Sequence, residues 1–250
     1  MLFEQTIEKL VGLRLKGMVQ AVEELVVKGS VSDLTFEDIF GLVVDREWMI
    51  RENRRMARRL KEATLKQKGC VEEIDYRHAR GLDKKVMKEL ITGRWIAVKR
   101  NVIMTGPTGL GKTWLACALA EKACRDGWTT RYTRVPRLIH ELALARADGS
   151  YLKVLAKLAK TDLLILDDWA LCRLDGTAQH DILEVIDDRV GLRSTLVTSQ
   201  YPVNLWHDTI GDPSVADALL DRLLQGATQI KLQGESKRKE TSENSRDNGL

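Results

Sequence analysis

The sequence predicts an α/β protein in which helices sandwich a parallel sheet, preceded by a small all-α domain at the N-terminus. Three observations lead to this prediction. A glycine-rich loop lies between an apolar strand and a helix, strand and helix patterns alternate after about residue 100, and the first 75 residues place apolar side chains at helical spacing. Alternating strands and helices imply parallel strands joined by right-handed crossovers.

The N-terminal segment is predicted to be helical. Apolar residues recur at helical spacing over residues 3–28, which we expect to form one helix. Thr35 and Asp38 match a capping box, so a second, long helix is expected to begin there and to end at Lys68-Gly69. Residues 70–99 are predicted to hold a linker and one further helix.

The long helix concentrates positive charge. Between Arg46 and Lys68, nine Lys or Arg stand against three Glu, whereas the whole chain has a net charge of only +4. Arginine forks fit phosphate oxygens, which duplex DNA offers at high density. A solvated helix face with Glu partners is the alternative, and no helix-turn-helix or zinc signature predicts base reading. The predicted contacts with the DNA backbone are Arg51, Arg54, Arg55, Arg58, Arg59 and Lys61.

A phosphate-binding loop is the most specific feature of the chain. Residues 106–113 fit G-x-x-x-x-G-K-[ST], in which glycines let consecutive backbone N–H groups turn toward a phosphate. Lys112 is expected to reach the β- and γ-phosphates of ATP, and Thr113 to offer its hydroxyl to Mg²⁺. The predicted nucleotide contacts in this part of the chain are Gly106, Pro107, Thr108, Gly109, Leu110, Gly111, Lys112, Thr113 and Trp114.

A second apolar strand, Leu163–Asp168, ends in two carboxylates. This is the Walker B pattern that accompanies a phosphate-binding loop in ATPases. Asp167 is expected to hold Mg²⁺ through water or Thr113, and Asp168 to orient or deprotonate the attacking water. A solvated strand end is the alternative for any pair of aspartates.

The remaining chain supplies further alternating elements. Ser199 and Gln200 end a strand that should lie next to the Walker B strand, so they are candidates for sensing the γ-phosphate and holding the water. The predicted elements are a strand over Asn101–Thr105, a helix ending near Gly127, a strand over Thr129–Thr133, a helix over Val135–Arg146, a helix over residues 175–190, and strands over Ser194–Gln200 and Thr228–Leu232.

Composition narrows the possible classes of protein. With 250 residues and 44% apolar content, the chain can form one sizeable core and a smaller domain. No run approaches the roughly 20 apolar residues of a membrane span, and no secretion signal is apparent. None of the four cysteines forms a C-x-x-C pair, which argues against a zinc site or a disulfide framework and favours a cytoplasmic protein.

Taken together, several segments resemble the IstB family. These proteins are AAA+ ATPases that help a transposase in insertion-sequence transposition, and they are akin to the DnaC replicative helicase loader. Each motif alone is generic, but the set in this order is specific and covers roughly residues 1–240. The segments are Asn53–Arg55, Gly106–Thr113, Leu163–Asp168, Val197–Val203, Ala216–Leu223 and Gly234–Lys239.

The resemblance implies further roles. ATP would bind between neighbouring subunits, with Arg222 reaching the neighbour's γ-phosphate; Arg193 is less well placed, and a surface role for Arg222 is the alternative. The C-terminal lid of other AAA+ proteins is expected to be absent, and Arg238 to contact the nucleotide in its place. Many AAA+ enzymes carry Glu where Asp168 stands, so we expect modest turnover.

The expected activity is that of a Mg²⁺-dependent, DNA-stimulated ATPase that forms a homo-oligomer on duplex DNA, recruits its cognate transposase and directs insertion. Lys153, Lys157 and Lys160 form a second basic row that a solvated helix stripe explains equally well. The expected domains are a helical DNA-binding or oligomerisation domain (1–75), an AAA+ ATPase domain (76–240) and a disordered tail (241–250). A helicase loader and an ATP-gated DNA-binding scaffold with little hydrolysis remain as alternatives.

Overall fold

A computed structural model describes residues 2–28, 34–76, 80–174 and 176–234. The chain divides into two compact units, Met1–Arg58 and Arg59–Leu250, and the division falls within one long helix. The division comes earlier in the chain than the boundary expected at residue 75, because residues from Arg59 onward contact the rest of the larger unit. The predicted helix end at Gly29-Ser30, the tail and Arg238 lie outside the described residues.

The described elements alternate as the sequence predicts. The helices are α1 (Leu2–Gly12), α2 (Lys16–Lys28), α3 (Phe36–Ala63), α4 (Lys84–Ile91), α5 (Arg94–Ala97), α6 (Lys112–Arg125), α7 (Val135–Ala147), α8 (Tyr151–Lys160), α9 (Thr177–Asp187), α10 (Trp206–Ile210) and α11 (Pro213–Leu224). The strands are β1 (Val102–Thr105), β2 (Thr130–Arg134), β3 (Leu163–Trp169), β4 (Ser194–Ser199) and β5 (Thr228–Lys231).

All five strands are parallel and lie in the order β2-β3-β4-β1-β5. Because consecutive side chains of a strand point to opposite faces, Leu163 and Ile165 enter one apolar cluster while Leu164 and Leu166 enter the other. Both faces are therefore buried, which explains why the strands are continuous apolar runs. Helix α6 covers the first face, and helices α7 to α11 contribute to the second.

The single helix expected over residues 3–28 is two helices. Arg14 takes a left-handed conformation (φ 60°), the amide of Leu15 donates to Leu10 O, and the amide of Arg14 donates to Val11 O. These bonds form a Schellman motif, which normally places glycine at the left-handed position. The prediction was wrong because Arg occupies that position, and apolar periodicity does not reveal the break.

Glu47 holds α2 against α3 inside the smaller unit. Its buried carboxylate accepts hydrogen bonds from the backbone N–H of Gly17 (2.6 Å) and Met18 (3.3 Å) at the start of α2, and from Arg51 Nε (2.6 Å). Burial alone would raise the pKa of Glu47, but these hydrogen bonds outweigh it and lower the pKa. A Cβ on Gly17 would lie 2.5 Å from Glu47 Cα, so only glycine permits this crossing.

Replacing Glu47 with Gln should loosen the start of α2. The neutral amide accepts more weakly from the backbone N–H groups and loses the charge-assisted bond to Arg51, so we expect a local cost of about 1–3 kcal/mol. Hydrogen exchange at the amides of Gly17 and Met18 should accelerate about tenfold or more at neutral pH.

The matched control is Glu52→Gln, which removes an exposed pair with Arg55 at 3.4 Å. This change should leave the exchange of α2 unaltered. Since folding lowers the pKa of Glu47, its contribution is present above the unfolded-state value and disappears as the pH falls through the folded-state value. The difference between E47Q and the parent should therefore close at acid pH; equal exchange at neutral pH would contradict the assignment.

The capping box that begins α3 is confirmed. The amide of Asp38 donates to Thr35 Oγ1, and the amide of Thr35 donates to Asp38 Oδ2, both at 3.2 Å. The helix ends at Ala63 rather than at Lys68, because Thr64 turns left-handed (φ 50°) and its hydroxyl donates to Tyr132 O at 3.2 Å. This second boundary depends on a residue distant in sequence.

Two short helices, α4 and α5, occupy the stretch where one helix was expected before β1. Gly93 separates them with φ 70°, and Asp83 caps the first by accepting from the amides of Lys85 and Val86. Within the described ranges, no helix is long and apolar enough to span a membrane.

Candidate functional site: a phosphate-binding loop and two aspartates

The phosphate-binding loop connects β1 to α6 at the carboxyl edge of the sheet. Gly106 takes φ 142°, and a Cβ there would lie 2.3 Å from Leu232 O, so no other residue fits. Gly111 precedes the first turn of α6 with φ 83°. A loop that turns at glycines and runs into the start of a helix is the arrangement that anion binding requires.

Lys112 is buried and its ammonium lies within the loop. Nζ donates to Gly106 O and to Pro107 O, the latter at 2.8 Å. Burial lowers the pKa of Lys112, while Asp167 and Asp168 oppose that shift. The positive charge is therefore placed at the centre of the loop, where phosphate oxygens would accept its hydrogen bonds.

Asp167 is the most strongly hydrogen-bonded carboxylate of the site. The hydroxyls of Thr113 (3.0 Å), Tyr132 (2.5 Å) and Thr198 donate to its oxygens, and its exposure is only 1%. Burial and the hydrogen bond to Asp167 raise the pKa of Tyr132, which keeps the phenol protonated. An aspartate oxygen beside a threonine hydroxyl at the phosphate loop is an oxygen donor set that suits Mg²⁺, so these two residues fit the ion.

Asp168 follows with an unusual backbone. It takes φ 60°, and the pairing of β3 with β4 shifts between Leu166 and Trp169. The turn directs its carboxylate toward the end of β2, where Arg134 Nε donates to Oδ2 at 2.6 Å. Positive φ is uncommon outside glycine and often marks a functional position.

The two sensor candidates at the end of β4 differ in their contacts. Gln200 Oε1 accepts from the hydroxyl of Thr108 in the phosphate loop at 2.8 Å. Ser199 is buried; its hydroxyl donates to Trp169 O at 2.8 Å and accepts from the amide of Tyr201 at 3.1 Å. Gln200 thus faces the loop, whereas Ser199 joins the ends of β3 and β4.

One cavity of about 350 Å³ brings most of these groups together. Its lining includes both aspartates, Ser199, Gln200, Trp114 and five loop residues, Thr108, Gly109, Gly111, Lys112 and Thr113, but not the predicted contacts Gly106, Pro107 and Leu110. Further lining residues were not singled out from the sequence. Those additional residues are Lys66, Gln67, Arg134, Leu171 and Thr198. Arg134 and Thr198 could have been found from the ends of strands adjacent to β3, but no sequence signal points to Lys66.

A larger cavity of about 980 Å³ adjoins this one through Lys66 and Arg134. Its walls include Arg131, Arg137 and His140 but no residue of the phosphate loop. The phosphate loop therefore lies at the smaller cavity, which is the candidate nucleotide site.

Arg222 lies near the end of α11 and does not line that cavity. Its guanidinium pairs with Asp187 at the end of α9 and donates to Ala218 O at 3.0 Å. The role predicted for Arg222 at a neighbouring subunit therefore stays a prediction.

The predicted DNA-contacting residues lie on α3 with different surroundings. Arg51 and Arg55 are exposed but pair with Glu47 and Glu52. Arg54, Arg58 and Lys61 are exposed as well, whereas Arg59 is half-buried and donates from Nε to Cys124 O at 2.8 Å. Within the part of the chain that the structure describes, the side chains of Arg54 and Lys61 form no hydrogen bond or ion pair.

The phosphate loop, the two aspartates that end β3 and the parallel sheet define a P-loop protein. Residues 8–245 match the family described as IstB-like ATP binding protein, and the chain belongs to that family. A Sinorhizobium fredii protein named as an insertion sequence ATP-binding protein, y4pL, is 48% identical over 96% of this chain and 98% of its own length. The corresponding protein of insertion sequence IS21 from Pseudomonas aeruginosa is 30% identical over 90% of this chain and 85% of its own.

Solved structures agree on the fold. AMPPCP-bound DnaA from Aquifex aeolicus aligns with a TM-score of 0.59 and 19% identity over 75% of this chain and 57% of DnaA. The DnaC helicase loader aligns with a TM-score of 0.51 and 19% identity over 70% of this chain and 99% of DnaC. At such identities the similarity establishes the α/β architecture alone.

Proposed function

We propose that the chain is a Mg²⁺-dependent ATPase that assembles on duplex DNA and assists a transposase in selecting and using an insertion target. The observation that supports ATP hydrolysis is the single cavity that joins Lys112, Thr113, Asp167 and Asp168. Lys112 and the loop amides would bind the phosphates, Thr113 and Asp167 would hold Mg²⁺, and Asp168 would orient water. The ion would neutralise charge on the phosphates.

Asp168 is the proposed base although Arg134 contacts it. The ion pair involves Oδ2 of the carboxylate, so the other oxygen can accept a proton from water. Gln200, which contacts the phosphate loop through Thr108, is a better candidate for the γ-phosphate sensor than Ser199, whose hydroxyl is engaged by Trp169 and Tyr201.

The transposition role is inferred from the names of the relatives, which associate them with insertion sequences. The basic face of α3 supports binding to the DNA backbone, since Arg54, Arg58 and Lys61 are exposed to solvent. Phosphate contacts of this kind are independent of base sequence and depend strongly on salt.

A second basic surface supports the same proposal. Lys153, Lys157 and Lys160 of α8 line a groove of about 500 Å³ together with Arg59 and Arg131. Glu62 is the acidic residue on that groove. The excess of positive charge on this groove suits a phosphate backbone. The three lysines that form a basic row in the sequence thus lie along one groove.

Arg222 is the proposed residue acting between subunits. Asp187 holds its guanidinium at the surface end of α11, away from the nucleotide cavity of its own chain. A neighbour's γ-phosphate would compete with Asp187 for this guanidinium, so assembly would complete the site and require a homo-oligomer.

The first test is the size of the protein on a duplex of about 50 bp, with and without ATP, and then on single-stranded DNA. A large complex that needs both ATP and duplex supports the proposal. Preference for single strands would favour the helicase-loader alternative and lead to a test of helicase binding. ATP-dependent assembly on the duplex with no measurable turnover would favour the scaffold alternative.

Charge reversal on α3 should weaken this binding. The double variant Arg54→Glu and Lys61→Glu removes two phosphate contacts, so we expect at least tenfold weaker binding on any duplex sequence and a salt slope smaller by about 2. Fluorescence anisotropy with labelled duplexes at several salt concentrations measures both quantities.

Its matched control is Lys85→Glu with Lys88→Glu, two exposed residues of α4 with the same change in charge. An equal loss of affinity in both double variants would show that only net charge matters and would remove α3 as the binding face.

A further inference from the structure

We propose that Lys66, on the segment that follows α3, contacts the terminal phosphate of ATP and makes the site prefer ATP over ADP. This inference rests on the proposed ATP-binding function. Lys66 lines the same cavity as the phosphate loop, and its Nζ lies 3.9 Å from Asp167 Oδ2. Residues 64–69 thus bring a further cation to a cavity whose other walls come from the phosphate loop, α6 and the chain at the ends of β2, β3 and β4.

The segment is fixed on both sides of Lys66. Before it, Thr64 adopts φ 50°, which is unusual for a β-branched residue, and donates to Tyr132 O. After it, Gly69 packs so closely on α6 that a Cβ would lie 3.1 Å from Trp114 O and 3.2 Å from Ala118 N. Between these points, Leu65 packs against the apolar core.

The backbone of the segment also lies beside Cys117 of α6. Burial raises the pKa of the Cys117 thiol, and the nearby backbone of Gln67 and Lys66 opposes that shift. The position of Lys66 is therefore set by several contacts around it, even though its own side chain is 43% exposed.

The ammonium is held loosely. At 3.9 Å from Asp167 it is attracted by the carboxylate but is too distant for a hydrogen bond. Its three N–H donors and flexible stem allow it to turn toward another anion in the cavity.

The residues around Lys66 indicate which phosphate of ATP its ammonium would contact. Asp167 and Thr113 would hold the proposed Mg²⁺, which would neutralise charge on the terminal phosphates of ATP. Asp168, the proposed base for the water that attacks the γ-phosphate, lines the same cavity. Lys66 thus stands at the γ-phosphate end, and ADP has no phosphate there.

The test is the affinity of the full-length protein for mant-ATP and mant-ADP, measured by fluorescence in the presence of Mg²⁺. Lys66→Met should weaken mant-ATP binding about tenfold and change mant-ADP binding by less than about twofold. Lys66→Arg should retain the preference for ATP. The matched control Lys68→Met alters an exposed lysine of the same segment that does not line the cavity, and it should change neither affinity.

Equal weakening of both nucleotides by K66M, or no weakening, would overturn the inference while leaving the proposed function intact. If the unmodified protein binds neither nucleotide, the proposed function fails and this inference fails with it. Circular dichroism of each variant checks that the exposed substitution leaves the fold unchanged.

Discussion

Lys112→Ala should abolish nucleotide binding at working concentrations, with a loss of affinity of about 100-fold or more. The ammonium is buried within the phosphate loop and contacts the carbonyls of Gly106 and Pro107. The substitution removes a charged hydrogen-bond donor from the position where the loop would bind phosphate. A cation from solvent would bind there more weakly than the covalently attached ammonium. Equilibrium binding of mant-ATP measures the loss directly.

The matched control is Lys122→Ala on the same helix, where the ammonium pairs with Asp126 at the surface. That variant should bind mant-ATP as the parent does. If K112A retained ATP-dependent assembly on DNA, the assignment of the nucleotide site would be contradicted.

Asp168→Asn should reduce ATP turnover about 100-fold or more while leaving ATP affinity within about threefold. The amide keeps the size of the carboxylate and can still accept a hydrogen bond from Arg134, but it cannot take a proton from water. Steady-state phosphate release and mant-ATP binding separate the two effects.

Asp188→Asn, an exposed change of the same kind at the end of α9, should have no effect on either quantity. A D168N protein with unchanged turnover would support the alternative of an ATP-gated scaffold. It would also direct attention to another base for the attacking water.

The sheet and its helices could be predicted because each element carries its own local signal. The apolar run Leu163–Leu166 predicts a strand buried on both faces, and the glycines before Lys112 predict a turn into a helix. Boundaries that depend on distant contacts or on unusual backbone were missed. Helix α3 ends at Thr64 through a hydrogen bond to Tyr132, and α1 ends at an arginine in a glycine-like conformation.

The central residues of the candidate site could also be named from the sequence. Lys112, Thr113, Asp167 and Asp168 belong to motifs whose spacing follows from phosphate and metal chemistry. The roles of Arg222 and the α3 arginines stay predictions, because they depend on partners that a single chain does not contain.

By itself, the sequence determined the class of protein, the sheet and the central residues of the candidate nucleotide site, because these features arise from short segments with fixed local geometry. Only the tertiary structure decided which other side chains meet at that site. Tyr132, Arg134 and Lys66 reach the Walker B aspartates from β2 and from the segment after α3. These contacts depend on the order of the strands and on the connections between them, and no periodicity in the sequence encodes either.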